Sequence, residues 1–100
     1  MSMIVSVVSA TVDAERETDL RSAFAANLAD AGPFIHRAYL ARDGGDDDEW
    51  RIILVWKGQV AIDDYVQVVG RPPDAKTFLD VGARPNPSVS QVVADWRGGA

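Results

Sequence analysis

The apolar pattern of this chain changes its period at Gly58. Residues 52–56 form a continuous apolar run, which is typical of a buried strand. Beyond Gly58 the apolar residues recur every three or four positions, which indicates a helix over residues 59–69. A tight turn therefore joins a strand to a helix, and a large aromatic residue lies on each side of it, Trp56 and Tyr65.

The rest of the chain supplies the other strands and helices. An uncharged, β-branched run opens the sequence, and glycine or proline residues separate the later segments. The predicted strands are residues 3–12, 34–42, 49–57 and 88–96, and the predicted helices are residues 14–31, 59–69 and 73–81. Their order is β-α-β-β-α-(α)-β, which is the ferredoxin-like or split-βαβ arrangement. We therefore expect a single α+β domain over residues 1–100, with an antiparallel sheet.

The second and third strands form a hairpin that turns at residues 43–48, where glycine and aspartate are concentrated. The consecutive carboxylates of residues 46–49 point in divergent directions, so they predict a solvated hairpin tip rather than a calcium loop. Strict alternation along residues 34–42 predicts two sets of side chains on opposite faces. The first set is Ile35, Tyr39 and Ala41, and the second set is Phe34, His36, Ala38 and Leu40.

Self-association follows from the amount of apolar strand surface. The predicted strands are apolar on both sides, whereas the helices of this arrangement cover only one face of the sheet. A domain of 100 residues also buries a modest fraction of its surface. We therefore expect a homodimer in which a second copy of the chain covers the other sheet face.

Charge and composition disfavour several classes of partner and cofactor. A net charge of −5 and a pI near 4.6 argue against binding to nucleic acid or to an anionic membrane. The chain has no cysteine, which excludes disulfides and thiolate zinc sites, and it has no phosphate-binding glycine loop, dinucleotide fingerprint or nucleophile elbow. Residues 1–12 lack the basic start of a signal peptide, and no apolar run approaches about 18 residues, so we expect a cytoplasmic protein.

The strand-to-helix switch also resembles that of a known family. Members of the antibiotic-biosynthesis monooxygenase family commonly carry the pattern V-W-x-S-x-x-A-x-x-x-aromatic at this point. This chain keeps Val55, Trp56, Ala61 and the aromatic residue Tyr65, and has Gly58 where serine is usual. The resemblance covers the whole chain and implies the dimeric α+β barrel fold.

The resemblance further implies an activity and a set of site residues. Members of the family oxidise quinol-type or polyketide aromatics without metal or flavin, in a pocket between sheet and helices. Haem-degrading relatives carry an asparagine on the first strand, near Val8 here, and a histidine on or after the second helix. This chain has neither, so we expect no haem and no other cofactor or metal. By resemblance the candidate catalytic residues are Tyr65 and His36, and the candidate substrate-binding residues are Trp56, Arg51 and Phe78.

Packing is the commoner role of such residues, and three functions stay open. Trp56 and Tyr65 have the burial habits of core aromatics, and His36, the only histidine, is either a proton shuttle or a structural residue. The chain is then a cofactor-independent monooxygenase, a non-catalytic homodimer that binds a small apolar ligand or only assembles, or a cyclase or isomerase. A filled interior would favour the second function. A cavity at which Tyr65 and His36 converge would favour the other two.

Overall fold

The computed structural model describes residues 3–46, 48–96 and 98, which form a four-stranded sheet with helices on one side. Short 3₁₀ turns, Ala14–Arg16 and Gly32–Phe34, flank the first helix. The strands are β1 (Ile4–Thr11), β2 (Ile35–Arg42), β3 (Glu49–Trp56) and β4 (Asn86–Gln91), and the helices are α1 (Glu17–Ala31), α2 (Gln59–Val69) and α3 (Pro73–Asp80).

The sheet has the order β2-β3-β1-β4, and each neighbouring pair is antiparallel. In the centre Ser6 of β1 lies opposite Leu54 of β3 on one side and Val89 of β4 on the other. The element order and the antiparallel sheet confirm the predicted ferredoxin-like α+β fold.

Alternation along β1 and β3 separates two faces of the sheet. The face under the helices, called the covered face below, carries the buried residues Ile4, Ser6, Val8, Ala10, Trp50, Ile52, Leu54 and Trp56. The opposite face, called the open face, carries Val5, Val7, Ile53, Val55 and Tyr39, which are half-buried or exposed in the single chain. The helices of one chain thus cover one face, as a sheet of this architecture requires.

Two glycines fix the bounds of α2. Gly58 precedes it with φ 145° and Gly70 follows it with φ 91°, which is backbone that side-chain-bearing residues rarely adopt. The helix therefore occupies residues Gln59–Val69, as the apolar spacing predicts. Its sheet-facing residue is Tyr65, which is buried.

The prediction that Ile35 lies on the same sheet face as Tyr39 and Ala41 is wrong. The pairing register of β2 and β3 shifts between Ile35 and Arg37, so His36 is an extra residue in the strand. Ile35 consequently pairs with Trp56 on the covered face, together with Ala38 and Leu40, instead of sharing the open face with Tyr39. Phe34 lies before the strand, in the 3₁₀ turn.

The last strand begins and ends earlier than predicted. β4 occupies Asn86–Gln91 instead of residues 88–96, and its last residue, Gln91, pairs with Ile4, the first residue of β1. One backbone hydrogen bond, from Val92 N–H to the Met3 carbonyl, follows the strand. Trp96 lies outside it and is 86% exposed. Residues 97, 99 and 100 lie outside the described part of the chain.

None of the helices in the described ranges has the length and apolarity needed to cross a membrane. The cytoplasmic location expected from the sequence stays a prediction.

Candidate functional site

Trp56 ends β3 on the covered face and is 1% exposed. A buried indole N–H needs an acceptor, and here it donates a hydrogen bond to the hydroxyl of Ser6, with Nε1 and Oγ 2.9 Å apart. Ser6 occupies the middle of β1, between the buried residues Ile4 and Val8. The indole is thus held against the central strand by a polar contact as well as by packing.

Ser6 also forms a hydrogen bond with a buried carboxyl group. Its hydroxyl donates a hydrogen bond to Oδ2 of Asp74 at 2.8 Å, and Asp74 is 1% exposed. Asp74 lies in the first turn of α3, directly after Pro73, whose ring suits the first position of a helix. The N–H of Ala75 donates to its other oxygen, Oδ1, at 2.8 Å. The Trp56–Ser6–Asp74 chain therefore links β3, β1 and α3.

Burial raises the pKa of Asp74, while the hydrogen bonds from Ser6 and from backbone N–H groups of α3 oppose that rise. The pKa of the neighbouring Tyr65 is raised as well, by burial and then by the charges of Asp30 and Asp74. Both groups therefore keep their protons to higher pH than in water.

An apolar cavity of about 160 Å³ lies beside this chain, between the covered face and the helices α2 and α3. Trp56, Ser6 and Asp74 form part of its wall. Its remaining wall is Val8, Ile62, Pro72, Ala75, Pro87 and Val89. The cavity surface is almost wholly apolar, because the polar atoms of the chain bond to one another.

Other depressions among the described residues are larger and more open to solvent. One of about 360 Å³ lies between the end of α2 and α3, beside Arg71 and Lys76. Another of about 220 Å³ lies beside Arg16 and Gly82. These depressions, and one of about 330 Å³ beside Met3 and Asp95, are more polar than the cavity beside Trp56, so the apolar cavity is the better candidate for a small-molecule site.

A second polar cluster holds α3 against α1 and so positions Asp74. The buried Asn27 of α1 donates from Nδ2 to Thr77 Oγ1 at 3.0 Å and to Asp80 Oδ2 at 3.1 Å. It also accepts a hydrogen bond from Lys76 Nζ at 3.1 Å. Hydrogen bonds from Asn27 and Lys76 lower the pKa of Asp80, in contrast to Asp74 at the other end of the helix.

Tyr65 supports the cavity without lining it. Its ring packs edge-to-face against Trp56, with centroids 5.9 Å apart, and against Phe34, with centroids 5.6 Å apart. Tyr65 therefore lies behind the indole and fixes its orientation. Phe78 is fully buried in the core and is likewise outside the cavity wall.

The two basic candidates lie elsewhere. His36 is exposed on the edge strand β2, at the register shift, and Arg51 is exposed on β3 with its side chain on the side of the open face. Arg51 Nη2 donates to Asp43 Oδ1 at 3.1 Å in the hairpin. The hydrogen bond from the N–H of Gly45, and to a smaller extent that from Arg51, lowers the pKa of Asp43. Of the five predicted site residues, the structure brings only Trp56 to the cavity, and the catalytic role of Tyr65 and His36 stays a prediction.

Sequence reasoning missed Ser6 and Asp74. Ser6 is a polar residue at a buried position of an alternating strand, and Asp74 follows two prolines at the start of a helix. Each looks ordinary alone, because serine is small and aspartate is common in a first helical turn. The signal that matters is their contact, and they are 68 residues apart in the chain.

No protein-family model and no curated protein matches this sequence. Solved structures do match. SnoaB, a cofactor-independent oxygenase from Streptomyces nogalater, is 20% identical with a TM-score of 0.69, and the match covers 97% of each chain. A protein of Deinococcus radiodurans assigned as an antibiotic biosynthesis monooxygenase is 11% identical with a TM-score of 0.67, again over 97% of each chain.

A conserved protein of unknown function from Bacteroides thetaiotaomicron is 13% identical with a TM-score of 0.71, over 91% of this chain and 98% of that one. At such identities the likeness establishes fold, and it agrees with the resemblance seen at Trp56 and Tyr65. The chain therefore has the fold of the antibiotic biosynthesis monooxygenase structures, SnoaB among them.

Proposed function

We propose that this protein is a cofactor-independent monooxygenase that oxidises a small, hydroxyl-bearing aromatic compound in the cavity beside Trp56. The observation that carries the proposal is an apolar cavity, partly open to solvent, whose wall contains the buried Trp56–Ser6–Asp74 chain. An apolar pocket with a few convergent polar groups is the usual form of a small-molecule site. The fold shared with SnoaB, a cofactor-independent oxygenase, supports the choice of reaction.

The volume of the cavity limits the part of the substrate that it encloses. An apolar cavity of about 150 Å³ in another protein binds benzene, so the 160 Å³ here suits one aromatic ring. Val89, at the cavity wall on β4, is 62% exposed. A second ring would therefore extend past Val89 toward solvent.

The chemistry needs no cofactor because the substrate itself supplies the electrons. A deprotonated phenol gives an electron to O₂, and the two radicals then combine at the ring carbon para to the oxygen. That carbon loses its hydrogen and becomes a carbonyl, one oxygen atom enters the product, and the other leaves as water. The protein must orient the ring, exclude water and manage the proton, which an apolar cavity beside a carboxyl group can do.

Oxygen uptake with 1-naphthol tests this function. The expected products are 1,4-naphthoquinone and water, with one O₂ consumed per naphthol and one labelled oxygen atom in the quinone when labelled O₂ is supplied. Uptake with hydrogen peroxide as the product would mean oxidase chemistry and would contradict a monooxygenase. An absence of uptake with hydroxynaphthalenes and anthrone-like quinols would favour the non-catalytic, ligand-binding homodimer.

A cyclase or isomerase is the second candidate, and Asp74 is the observation that favours it. A buried carboxylate whose pKa is raised is a stronger base than one in water, and proton transfer alone requires no oxygen. This function predicts that the protein exchanges the α-hydrogens of 1-tetralone with deuterium under nitrogen. Exchange of that kind without any oxygen uptake would replace the monooxygenase proposal.

The open face supports the homodimer expected from the sequence. Val5, Val7, Ile53 and Val55 are half-buried there, and Tyr39 is 48% exposed. Two copies that pack through these faces would bury an apolar strip that the helices of one chain leave uncovered. Sedimentation should show a dimer at micromolar concentration, and a stable monomer would contradict this arrangement.

A further inference from the structure

Within the described part of the chain, Asp74 is a buried carboxyl group that forms no ion pair. None of the ion pairs among residues 3–46, 48–96 and 98 includes Asp74, and its two oxygens accept hydrogen bonds from Ser6 and from the Ala75 N–H. Two neutral donors that both point at the carboxyl group suit the ionised form. The nearest cation on its own helix, Lys76, is bonded to Asn27 and Asp80 instead.

The described groups that face Asp74 from β1, β3 and α2 are neutral. β1 presents the Ser6 hydroxyl, β3 presents the Trp56 indole, and α2 presents Ile62 across the cavity and the phenol of Tyr65 behind the indole. A second acidic group, Asp30 of α1, acts on Tyr65 together with Asp74. A buried charge without a counter-ion is costly, and such groups are concentrated at functional sites.

We propose that Asp74, acting through the Ser6 hydroxyl, is the proton acceptor of the cavity, so that the site selects aromatic ligands that enter neutral and carry a weakly acidic hydroxyl. This inference rests on the proposed function, because it names the group that generates the electron-rich anion. It concerns residues that the sequence does not single out.

The proton transfer involves Ser6 as a relay. One lone pair of Ser6 Oγ accepts from Trp56, and Oγ adds almost no surface to the cavity wall, so a ligand hydroxyl reaches the second lone pair only when the side chains of the wall move apart. The ligand O–H bond breaks as a new Oγ–H bond forms, and the original Oγ–H bond breaks as Asp74 Oδ2 gains a proton. The negative charge moves from Asp74 to the ligand oxygen, and no electron is transferred in this step.

Selection against anions follows from the same charge. Among the described residues, those that line the cavity include Asp74 and no lysine, arginine or histidine. An anionic ligand would therefore place a second negative charge in a site with little water and no counter-ion, where like charges repel strongly. A neutral phenol avoids this repulsion on entry and becomes charged only as Asp74 becomes neutral.

Calorimetric titration with a matched pair of ligands tests the inference. At neutral pH wild-type protein should bind 1-naphthol more tightly than naphthalene-1-sulfonate by about tenfold or more. In Asp74→Asn, with its fold checked by circular dichroism, that ratio should fall at least severalfold through a gain in sulfonate affinity. Asp64→Asn, which removes an exposed charge on α2, should leave the ratio unchanged. An unchanged ratio in Asp74→Asn would overturn the inference.

Wild-type protein offers a measurement that needs no variant. Sulfonate affinity should rise as pH falls and Asp74 gains a proton, while naphthol affinity stays level; a level sulfonate affinity would also overturn the inference. Ser6→Ala should retain the selectivity, because the charge remains, and should lose most oxygen uptake. The two proposals fail separately: selectivity without uptake contradicts the monooxygenase alone, whereas uptake that Asp74→Asn retains contradicts the role of Asp74 alone.

Discussion

Val55 and Trp56 are neighbours on β3, and their side chains lie on opposite faces of the sheet. Trp56 is enclosed by α2, bonded to Ser6 and stacked edge-to-face on Tyr65. Val55 lies on the open face beside Val5, where the single chain leaves it half-buried. One strand therefore contributes both to a cavity with polar groups in its wall and to an apolar surface suited to a second copy.

The difference indicates which face carries the chemistry. The covered face has little polar surface, so burying polar groups such as Ser6 and Asp74 there is costly unless specific partners satisfy them, as they do for these two residues. Arg51 and His36 are exposed at the open face and the sheet edge, where solvent satisfies charged groups without any special geometry. Polar residues that are costly to bury are the better indicators of function here.

The largest expected effect is on the covered face. Trp56→Ala should lower the free energy of unfolding by about 3–5 kcal/mol, because it leaves a cavity and removes the donor to Ser6. Trp96→Ala deletes the same side chain where it is exposed and should change stability by about 0.5 kcal/mol or less. Urea unfolding measures both, and equal values for the two variants would remove the distinction between enclosed and exposed rings.

The next largest effect is expected for a substitution on the open face. Ile53→Glu should weaken the proposed homodimer by about 2–3 kcal/mol, on the order of a hundredfold in the dissociation constant, because packing through the open faces would place two like charges in an apolar contact. Val60→Glu makes the matched substitution on an exposed position of α2 and should leave dimerisation unchanged. Sedimentation equilibrium distinguishes them. Equal dissociation constants would mean that the copies associate through another surface.

The fold could be predicted from the local periodicity of the sequence. The site could not, because it depends on contacts between residues that are far apart in the chain. The bounds of α2 follow from the sequence because apolar spacing reports directly which side of a helix is buried. The sheet face on which Ile35 lies does not follow from the sequence. The extra residue at His36 reverses the alternation of side chains between the two faces, and no feature of the sequence marks it. The contact of Ser6 with Asp74 joins β1 to α3 across 68 residues, and no local pattern encodes it.

A smaller effect is expected on the stability of the protein at acidic pH. Burial holds the folded-state pKa of Asp74 above the ordinary value of 3.8, so the folded chain binds this proton at higher pH than the unfolded chain. The resulting stability is fully present below about pH 3.8 and is lost as pH rises through the folded-state pKa. Wild-type protein should therefore gain stability relative to Asp74→Asn on acidification.

Urea unfolding of the two proteins across this range measures the gain. Asp43 and Asp80, whose pKa values are lowered by hydrogen bonds, act in the opposite sense, but they are present in both proteins and cancel in the difference. A difference that does not vary with pH would mean that Asp74 is not desolvated in the folded chain.

The smallest effect is at Tyr65. Tyr65→Phe keeps the ring that packs on Trp56 and Phe34, so it should change the free energy of unfolding by about 1 kcal/mol or less. Because Tyr65 does not line the cavity, oxygen uptake should also persist. Uptake that falls tenfold or more, about 1.4 kcal/mol in activation free energy, would return the phenol to the catalytic role that the sequence resemblance implies.

The central claim is that an aromatic ring binds in the cavity beside Trp56, and calorimetric titration with 1-naphthol tests it directly. Ala75 lies in the cavity wall, so Ala75→Leu should fill the space and abolish the binding heat while the protein stays folded. Ala29→Leu adds the same atoms at an exposed position of α1 and should bind 1-naphthol like wild-type protein. Equal binding by the two variants would place the ligand elsewhere and contradict the account.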